Sequence, residues 1–391
     1  MKRRVVVTGR GVVTPLAEQL QPLWEGLLAC ESGIHELKIF DTARFHVKIG
    51  GDILDFDPSR RIDKRDVKRL DRFAQFAVLA GLDAVEASGL DFSQEDSFRC
   101  GIILGSGIGG LWEIETQMTR LVTKGPDRVS PFTIPKLMLN AAGGELSIRL
   151  GIRGPNYTVA TACASATNAM GDAFKSIQHD DADIMITGGT ESAITEMGLS
   201  GFQNMRALSE RNAEPHRASR PFDLDRDGFV LSEGAGLLVF EELEHAKRRG
   251  ADIIAEVLGF GASGDAGHIT QPDEHGTGAA RAMQNALRDA GLDPTDIDYI
   301  NAHGTSTPLG DKAETRAVKS VFGDHAKQLS ISSTKSQLGH SLGASGGIEL
   351  VVTAEAIRQG VVPPTANLET PDPDCDLDYT PLEPRQRKLK Y

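Results

Sequence analysis

Short runs of β-branched and apolar residues alternate with segments of helix length along the whole chain. Val5–Thr8 and Gly101–Gly105 are two such runs, and between them small and apolar residues recur every three or four positions over Lys68–Ser88. That spacing is typical of a helix face packed on a sheet. Strands that alternate with helices predict an α/β fold. No linker rich in Pro, Ser or charge interrupts the pattern, so we predict two packed halves, residues 1–250 and 251–391.

The composition argues against several classes of protein. The 391 residues include 42 Lys and Arg and 55 Asp and Glu, a net charge of −13, which disfavours nucleic acid as the main partner. No run approaches the roughly 18 consecutive apolar residues of a membrane helix, and no signal-peptide pattern is present, so we expect neither membrane insertion nor classical secretion. The four cysteines form no C-x-x-C pair. A disulfide framework and a zinc site are therefore disfavoured, and a cytoplasmic location is expected.

The glycine-rich segment Gly105–Gly110 follows a predicted strand, as a phosphate-binding loop would. It lacks the Lys-Ser/Thr pair of a P-loop, and its glycine spacing does not match the dinucleotide-binding fingerprint. We therefore predict a tight turn or the floor of a pocket at this position.

Cys163 lies between the predicted strand Tyr157–Thr161 and a helix. The free N–H groups and dipole of a helix N-terminus stabilise a thiolate, so we expect a lowered pKa and a nucleophilic sulfur. A lone cysteine is more often a buried structural thiol. The placement between strand and helix, among small residues, favours the nucleophile.

His303 follows the predicted strand Asp298–Ala302, at the strand end where α/β proteins build their sites. The hydroxyls of Thr305 and Thr307 could bind an extended ligand arm, or they could cap the helix predicted near Pro308. Capping explains one of these threonines well and two less well.

Lys335 and His340 follow another predicted strand in a glycine-rich, apolar stretch. A buried lysine needs a partner, and Glu349 is the obvious candidate. One thiol with two imidazole donors suits acyl transfer onto sulfur. No third ligand at metal spacing accompanies the histidines, which argues against a catalytic zinc.

These motifs resemble those of the β-ketoacyl-acyl carrier protein synthases, and most closely the type II elongating enzymes of bacterial fatty acid synthesis. The resemblance covers nearly the whole chain and rests on Val6–Gly9, Thr161–Cys163, Ser219–Asp223 with Arg226–Val230, Asn301–Thr307, and Lys335 with Gly339-His340. It implies a thiolase-like fold of five αβαβα layers with two similar halves, each containing a five-stranded mixed sheet. It implies no cofactor, because the substrates are carried on the phosphopantetheine of acyl carrier protein.

The resemblance also implies the catalytic roles. Cys163 would hold the acyl chain as a thioester. His303 and His340 would bind the carbonyl of the malonyl thioester and stabilise the enolate left by decarboxylation. Lys335 would organise the site together with Glu349.

Further binding residues are implied by the same resemblance. They are Thr305, Thr307 and the weaker candidate Thr270 for phosphopantetheine, Ile108 for the acyl tunnel with Phe202 as its gate, Arg65, Lys68, Arg69 and Arg206 for docking of acyl carrier protein, and Asn301 and Glu349 for a structural monovalent cation. A homodimer formed through strands near the cysteine-bearing segment is expected as well.

The C-terminal region departs from the family pattern. Members continue, after a segment like Cys375–Tyr379, into a strand, an Asn-Ser-Phe-Gly-Phe-Gly-Gly loop and a last strand, whereas this sequence reads only to Tyr391. We therefore expect those strands to be missing. The loop supplies a gating Phe and the second donor of the oxyanion hole, and loss of one such donor typically costs about 2.7–4 kcal/mol of barrier.

The predicted reaction is a decarboxylative Claisen condensation that elongates an acyl chain by two carbons. Two alternatives stay open: a catalytically impaired relic or partner subunit that binds acyl carrier protein, and a polyketide-type ketosynthase. A thiolase that uses coenzyme A is disfavoured because thiolases use a second cysteine, and Cys375 lies in an acidic loop rich in Pro and Asp.

Overall fold

The computed structural model describes residues 2–391. In chain order the strands are β1 (Val5–Val13), β2 (His35–Glu36), β3 (Ile49–Gly50), β4 (Cys100–Gly105), β5 (Asn156–Val159), β6 (Ile184–Glu191), β7 (Gly234–Glu242), β8 (Ala255–Val257), β9 (Tyr299–Asn301), β10 (Ser330–Ser332), β11 (Val361–Val362) and β12 (Arg385–Gln386). The α-helices are α1 (Leu20–Leu28), α2 (Lys64–Val67), α3 (Arg72–Ser88), α4 (Leu111–Lys124), α5 (Thr133–Leu137), α6 (Ala141–Leu150), α7 (Ser165–Gln178), α8 (Glu196–Asn204), α9 (Leu243–Arg248), α10 (Thr277–Ala290), α11 (Pro308–Phe322), α12 (Lys335–Leu338) and α13 (Ser345–Gln359).

The first half is built on a mixed sheet with the strand order β5-β4-β6-β7-β1-β8. Strand β4 pairs in parallel with β5 and β6, whereas β7 pairs antiparallel with β6 and β1. Five of these strands come from the first half, as predicted. The sixth, β8, comes from the second half and pairs with β1, which joins the two halves.

Alternate residues of the sheet are buried against different helices. Leu237 and Val239 pack in a cluster with α3, whereas Leu238 packs in a second cluster with α7 and α13. Close approach to the sheet depends on missing side chains: a Cβ on Gly11 would lie 2.0 Å from the Ala80 carbonyl oxygen of α3. The sheet is therefore covered on both faces, which explains its continuous hydrophobic strands.

Further layers follow beyond α7 and α13. Tyr299 of β9 belongs to the same cluster as α7 and α13. On their other side β9 and β10 meet α11, where Ala302, Ile331 and Val318 share a cluster. The layer order is helix, sheet, helix, strands and helix, which is the five-layer arrangement predicted from the sequence.

The second half differs from the first in its strands. Strands β8, β9 and β10 correspond in order to β1, β4 and β5, and β9 pairs in parallel with β10 as β4 does with β5. In the first half β6 and β7 lie between β4 and β1, but within residues 2–391 no strand lies between β9 and β8. A cavity of about 320 Å³ lies there, lined in part by Val257, Phe260 and Asn301.

The expectation of five strands in each sheet is therefore wrong for the second half within residues 2–391. Residues 363–384 follow β11 and contain six prolines, which donate no hydrogen bond to a strand ladder. This segment forms only isolated backbone pairs, such as the Thr365 N–H donating to the Thr380 carbonyl oxygen at 2.9 Å, and Tyr379 stacks on Phe222 with ring centroids 3.6 Å apart. Among residues 2–391, no helix combines the length and the apolar content needed to cross a bilayer.

Candidate active site

Cys163 lies on a tight turn between β5 and α7. Ala162 adopts a left-handed conformation with φ of 51°, which reverses the chain just before the cysteine. Ser165, the first helical residue, fixes this turn: its hydroxyl donates to the Ala162 carbonyl oxygen at 2.7 Å and accepts the Thr161 N–H at 2.9 Å. The sulfur therefore belongs to the turn and not to the first turn of the helix.

The expected lowering of the Cys163 pKa is wrong for the free thiol. Burial raises the pKa of Cys163, and the nearby charge of Lys335 opposes that effect without overcoming it. Burial disfavours the charged thiolate, and a cysteine that precedes the helix gains less from the helix dipole. The thiol consequently needs a base to become a nucleophile.

His340 is placed to be that base. Its Nε2 lies 3.0 Å from the Cys163 Sγ, and its Nδ1 lies 3.0 Å from the Ser345 hydroxyl. The ring is buried, and its backbone N–H donates to the Val230 carbonyl oxygen at 2.7 Å. Burial, with the charge of Lys335, lowers the pKa of His340 well below its ordinary value. A neutral imidazole can accept the thiol proton.

His303 completes the group. Its ring centroid lies 5.3 Å from that of His340, and the two rings are nearly perpendicular. Within residues 2–391, Cys163 Sγ and one nitrogen of each histidine all lie within 4.8 Å of one another. The structure therefore brings together the three residues that the sequence placed on separate motifs.

His303 is solvent-exposed, although many protein atoms lie around its ring. Burial and the charge of Lys335 lower the pKa of His303, so this imidazole is also neutral. Glu314 holds its backbone, because the carboxylate accepts the N–H groups of His303 and Gly304, both at 2.7 Å. Glu314 was not predicted from the sequence.

Lys335 is almost fully buried and forms an ion pair with Glu349, which confirms the predicted partner. The same cation lowers the pKa of Cys163, His303 and His340 electrostatically. It thus favours the thiolate and disfavours the charged imidazolium at one site.

The Gly105–Gly110 loop binds an internal anion. The buried carboxylate of Glu191 accepts the N–H groups of Gly107 at 2.7 Å, Ile108 at 3.2 Å and Gly109 at 3.3 Å. It also accepts the Gly343 N–H at 3.2 Å. The loop is therefore a pocket floor, as predicted, and Glu191 ties it to the segment that follows His340. Sequence reasoning missed Glu191, because nothing local links it to this loop.

Apolar residues adjoin the thiol. Ile108, Cys163 and Phe202 pack, partly buried, against one apolar cluster. The rings of Phe202 and Phe229 lie 5.5 Å apart, and Phe229 lies 5.4 Å from His340. Ile108 and Phe202 thus pack against the same apolar cluster as the thiol.

The two threonines differ in their local roles. Thr307 caps α11 by accepting the Gly310 N–H at 3.3 Å, whereas the Thr305 hydroxyl contacts that of Thr307 at 3.0 Å. One threonine is therefore explained by capping, as expected. Thr270 lies in an exposed loop, where its hydrogen bonds go to His268, and the structure does not bring it to the site.

The basic residues expected to dock a carrier protein are all exposed. Arg69 pairs with Asp66 at 3.6 Å and stacks over Phe132 at 5.4 Å. Arg65, Lys68 and Arg206 have no ion pair within the described part of the chain. Arg65 lies on α2, a short helix in the segment before α3.

Asn301 and Glu349, the expected cation residues, are neighbours. The Asn301 side-chain amide donates to the Glu349 carbonyl oxygen at 3.2 Å. Its Oδ1 is buried without a hydrogen-bond partner. This unpaired buried oxygen is a potential ligand for a cation.

Two models of protein families match this chain. The N-terminal domain model of β-ketoacyl synthase matches residues 2–246, and the C-terminal domain model matches residues 254–369. The chain belongs to the β-ketoacyl synthase family.

Curated relatives agree with this family assignment. The "3-oxoacyl-[acyl-carrier-protein] synthase 2" of Coxiella burnetii is 50% identical over 388 residues, which cover 99% of this chain and 94% of the relative. The protein of the same name from Synechocystis is 50% identical over 384 residues, 98% of this chain and 92% of the relative.

Solved structures show the same fold. A ketosynthase of a type II polyketide system, in complex with its acyl carrier protein, has a TM-score of 0.92 and 34% identity, and covers 100% of this chain and 95% of its own. A β-ketoacyl synthase from Burkholderia phymatum has a TM-score of 0.90 and 34% identity, with 100% and 94% coverage. This β-ketoacyl synthase therefore has the thiolase-like fold.

Proposed function

We propose that this β-ketoacyl synthase elongates fatty acids by decarboxylative condensation of malonyl-acyl carrier protein with an acyl chain held on Cys163. The observation that carries this proposal is the convergence of one thiol and two imidazoles within 4.8 Å. Identity favours the fatty acid reaction over the polyketide alternative, because it is 50% to the 3-oxoacyl synthases and 34% to the polyketide ketosynthase.

The first step loads the acyl chain. His340 Nε2, 3.0 Å from Sγ, takes the thiol proton, and the thiolate attacks the thioester carbonyl of the acyl carrier. A bond forms between Sγ and the carbonyl carbon, and the bond to the pantetheine sulfur breaks. The departing sulfur takes the proton from His340. The Cys163 N–H is the donor available to the oxyanion.

The second step makes the carbon–carbon bond. The N–H groups of neutral His303 and His340 donate to the carbonyl oxygen of the malonyl thioester, so that loss of CO₂ leaves an enolate rather than a bare carbanion. The enolate carbon attacks the acyl-Cys163 carbonyl, and the C–S bond breaks to release Cys163 as a thiolate, which takes up one proton from solvent to return to the thiol. His340 must present a lone pair in one step and a proton in the next. The Ser345 hydroxyl can accept from or donate to Nδ1, so it fits both tautomers.

Acyl carrier protein is proposed as the substrate carrier. The exposed cations Arg65, Lys68, Arg69 and Arg206 supply local positive charge on a chain of net charge −13, and such a patch attracts an acidic partner. Thr305 and Thr307 would hold the phosphopantetheine arm, with Thr270 a weaker candidate. Ile108 would line the acyl tunnel, and Phe202 would gate it.

A homodimer is proposed through β5. This strand ends the first-half sheet and is more exposed than its neighbours, so its free edge can pair with a second copy. Sedimentation analysis tests this, since a chain that stays monomeric at all concentrations would contradict it.

Two further expectations belong to the proposal. A monovalent cation would be held by Asn301 and Glu349 in a structural role, and no catalytic cofactor would be required. A cytoplasmic location is supported by the four free cysteines, which suit a reducing compartment.

The activity is tested by supplying acyl and malonyl carrier proteins and measuring CO₂ together with the product. The expected result is one CO₂ for each 3-oxoacyl chain longer by two carbons. Release of CO₂ without the longer product, or binding of the carrier without either, would indicate the impaired relic instead.

A further inference from the structure

Cys163, His303 and His340 together form a set of potential metal ligands that their spacing in the sequence does not reveal. Cys163 and His340 lie 177 residues apart in the chain but 3.0 Å apart in space. With His303, they place one sulfur and two imidazole nitrogens within 4.8 Å of one another. The sequence showed two histidines without a third ligand, and the fold supplies that ligand from the other half of the molecule.

We propose that Cys163, His303 and His340 bind Zn²⁺ reversibly, and that the bound ion inhibits the enzyme. Zinc prefers sulfur and imidazole ligands in a tetrahedron. With Zn–S of about 2.3 Å and Zn–N of about 2.0 Å, a tetrahedral angle separates sulfur and nitrogen by about 3.5 Å. The observed 3.0 Å between Sγ and Nε2 has to widen by about half an ångström, which a side-chain rotation provides.

The surroundings orient His340 as a ligand. A metal-binding histidine usually bonds through its other ring nitrogen to a fixed partner, and here the Ser345 hydroxyl lies 3.0 Å from Nδ1. The Val230 carbonyl oxygen holds the His340 backbone N–H at 2.7 Å. Nε2 is thus directed at the sulfur before any ion arrives.

Two further features determine how an ion reaches the site and how strongly it binds there. His303 reaches solvent, so an ion can enter and a water can take the fourth position. Lys335 lies close enough to influence all three ligands, and its positive charge opposes the ion. We therefore expect weaker binding than at a structural zinc site, and exchange with free zinc.

Binding consumes the nucleophile. The thiol loses its proton to the buffer as the S–Zn bond forms, and no redox change takes place. The metal and the acyl chain then compete for the same sulfur. Inhibition of condensation rests on the proposed function, whereas metal binding itself does not.

The test uses Co²⁺ as a spectroscopic substitute, with Zn²⁺ as the competing ion. The expected result is a thiolate-to-cobalt charge-transfer band that Zn²⁺ abolishes, together with slower alkylation of Cys163 by iodoacetamide when Zn²⁺ is present. Cys163→Ala should lose the band, and His303→Ala should bind at least about 10-fold more weakly. Thermal melting without metal confirms that each variant is folded.

Cys30→Ala is the matched control, because Cys30 is a partly exposed thiol bonded to the Leu382 carbonyl oxygen and should not affect the band. A band of parental strength in Cys163→Ala, no band in the parent, or alkylation of Cys163 unaffected by Zn²⁺ would overturn the proposal. Metal binding without condensation would refute the proposed function and leave the zinc site standing, and condensation insensitive to zinc would do the reverse.

Discussion

The two halves of this β-ketoacyl synthase position their catalytic groups by different means. In the first half, Cys163 follows an edge strand of a wide sheet whose two faces are buried against helices in large apolar clusters. In the second half, His303, Lys335 and His340 lie on loops and a short helix beyond two strands of three residues each. Apolar packing therefore holds the sheet and helix on either side of the nucleophile, whereas the groups that activate it require another kind of support.

That support is polar. The buried guanidinium of Arg226 lies 3.3 Å from Asp311 and 2.8 Å from Asp372, and it donates to the Thr307 carbonyl oxygen at 3.2 Å. Asp311 in turn accepts the Thr305 N–H at 3.1 Å. The loop that carries the two threonines is thus held by buried charges. Such a network fails when one partner is lost, because the other charge stays buried and unpaired.

The largest expected effect on condensation comes from removing the nucleophile that the first half contributes to the site. Cys163→Ala should reduce condensation by about 10³-fold or more, because the nucleophile is gone. Cys100→Ala removes another thiol of the first half, one that is buried on β4, and should keep condensation near the parental rate. Product assays compare them, and condensation by Cys163→Ala at the parental rate would refute the assigned role.

The histidines should differ from each other. His340→Ala should slow both acylation of Cys163 and decarboxylation by about 10²–10⁴-fold, since His340 contacts the sulfur directly. His303→Ala should slow decarboxylation much more than acylation, because no hydrogen bond joins His303 to Sγ in the described structure. Separate assays of acyl loading and CO₂ release measure the two steps. Equal losses in both steps for His303→Ala would contradict this division.

Mutations in the polar network of the second half and in the apolar core of the first half should destabilise the protein in different ways. Asp311→Ala should lower the free energy of unfolding by about 1–3 kcal/mol, because the backbone N–H groups of Phe222 and Thr305 lose their buried acceptor. Leu237→Ala, in the apolar core of the first half, should cost about 2–5 kcal/mol. Urea unfolding at several pH values distinguishes them: the cost should vary with pH for Asp311→Ala and stay constant for Leu237→Ala.

The pH dependence of stability should also differ between the halves. Burial raises the pKa of Asp311 to about 7 and that of Asp71, in the first half, to about 6. A carboxyl whose folded pKa is raised stabilises the fold when protonated, so its contribution is present below its ordinary pKa and is lost as pH rises through the folded value. In the parent, the stability contributed by Asp311 should decline up to about pH 7, and that contributed by Asp71 up to about pH 6. Asp311→Asn should abolish the first decline, and Asp71→Asn should abolish the second. Melting curves between pH 4 and pH 8 that are parallel for both variants and the parent would contradict this.

The smallest expected effect is at Ser345. Ser345→Ala removes one hydrogen bond to His340, and a bond of this kind contributes about 0.5–1.5 kcal/mol. Condensation should fall by about 2- to 10-fold, with a shifted pH profile for alkylation of Cys163. An unchanged profile would show that Ser345 does not orient the imidazole.

Much of this site was predictable from the sequence because its reactive residues lie on short motifs at strand ends. Cys163, His303 and His340 were assigned in this way, and the Lys335–Glu349 pair followed from the need of a buried cation for a partner. The residues that hold them were not predictable. Glu191 and Glu314 act on backbone N–H groups of other segments, and backbone donors leave no mark in a sequence.

The fold was predictable to a similar degree. Alternation of strands and helices indicated the α/β class, but it does not reveal breaks such as the one between α5 and α6 at Met138, which is extended. The helix expected from Lys68 begins at Arg72, where the Asp71 carboxylate caps it. The direction of the Cys163 pKa was missed because burial depends on the tertiary structure and outweighs the local helix end.

The central claim is that a thiol from the first half becomes reactive only through an imidazole from the second. Mixing the enzyme with acyl-loaded carrier protein, followed by time-resolved peptide mass spectrometry, tests it most directly. The account predicts acyl chains on Cys163 in the parent, slow loading in His340→Ala and near-parental loading in His303→Ala. Acylation of another residue, or loading of His340→Ala at the parental rate, would contradict it.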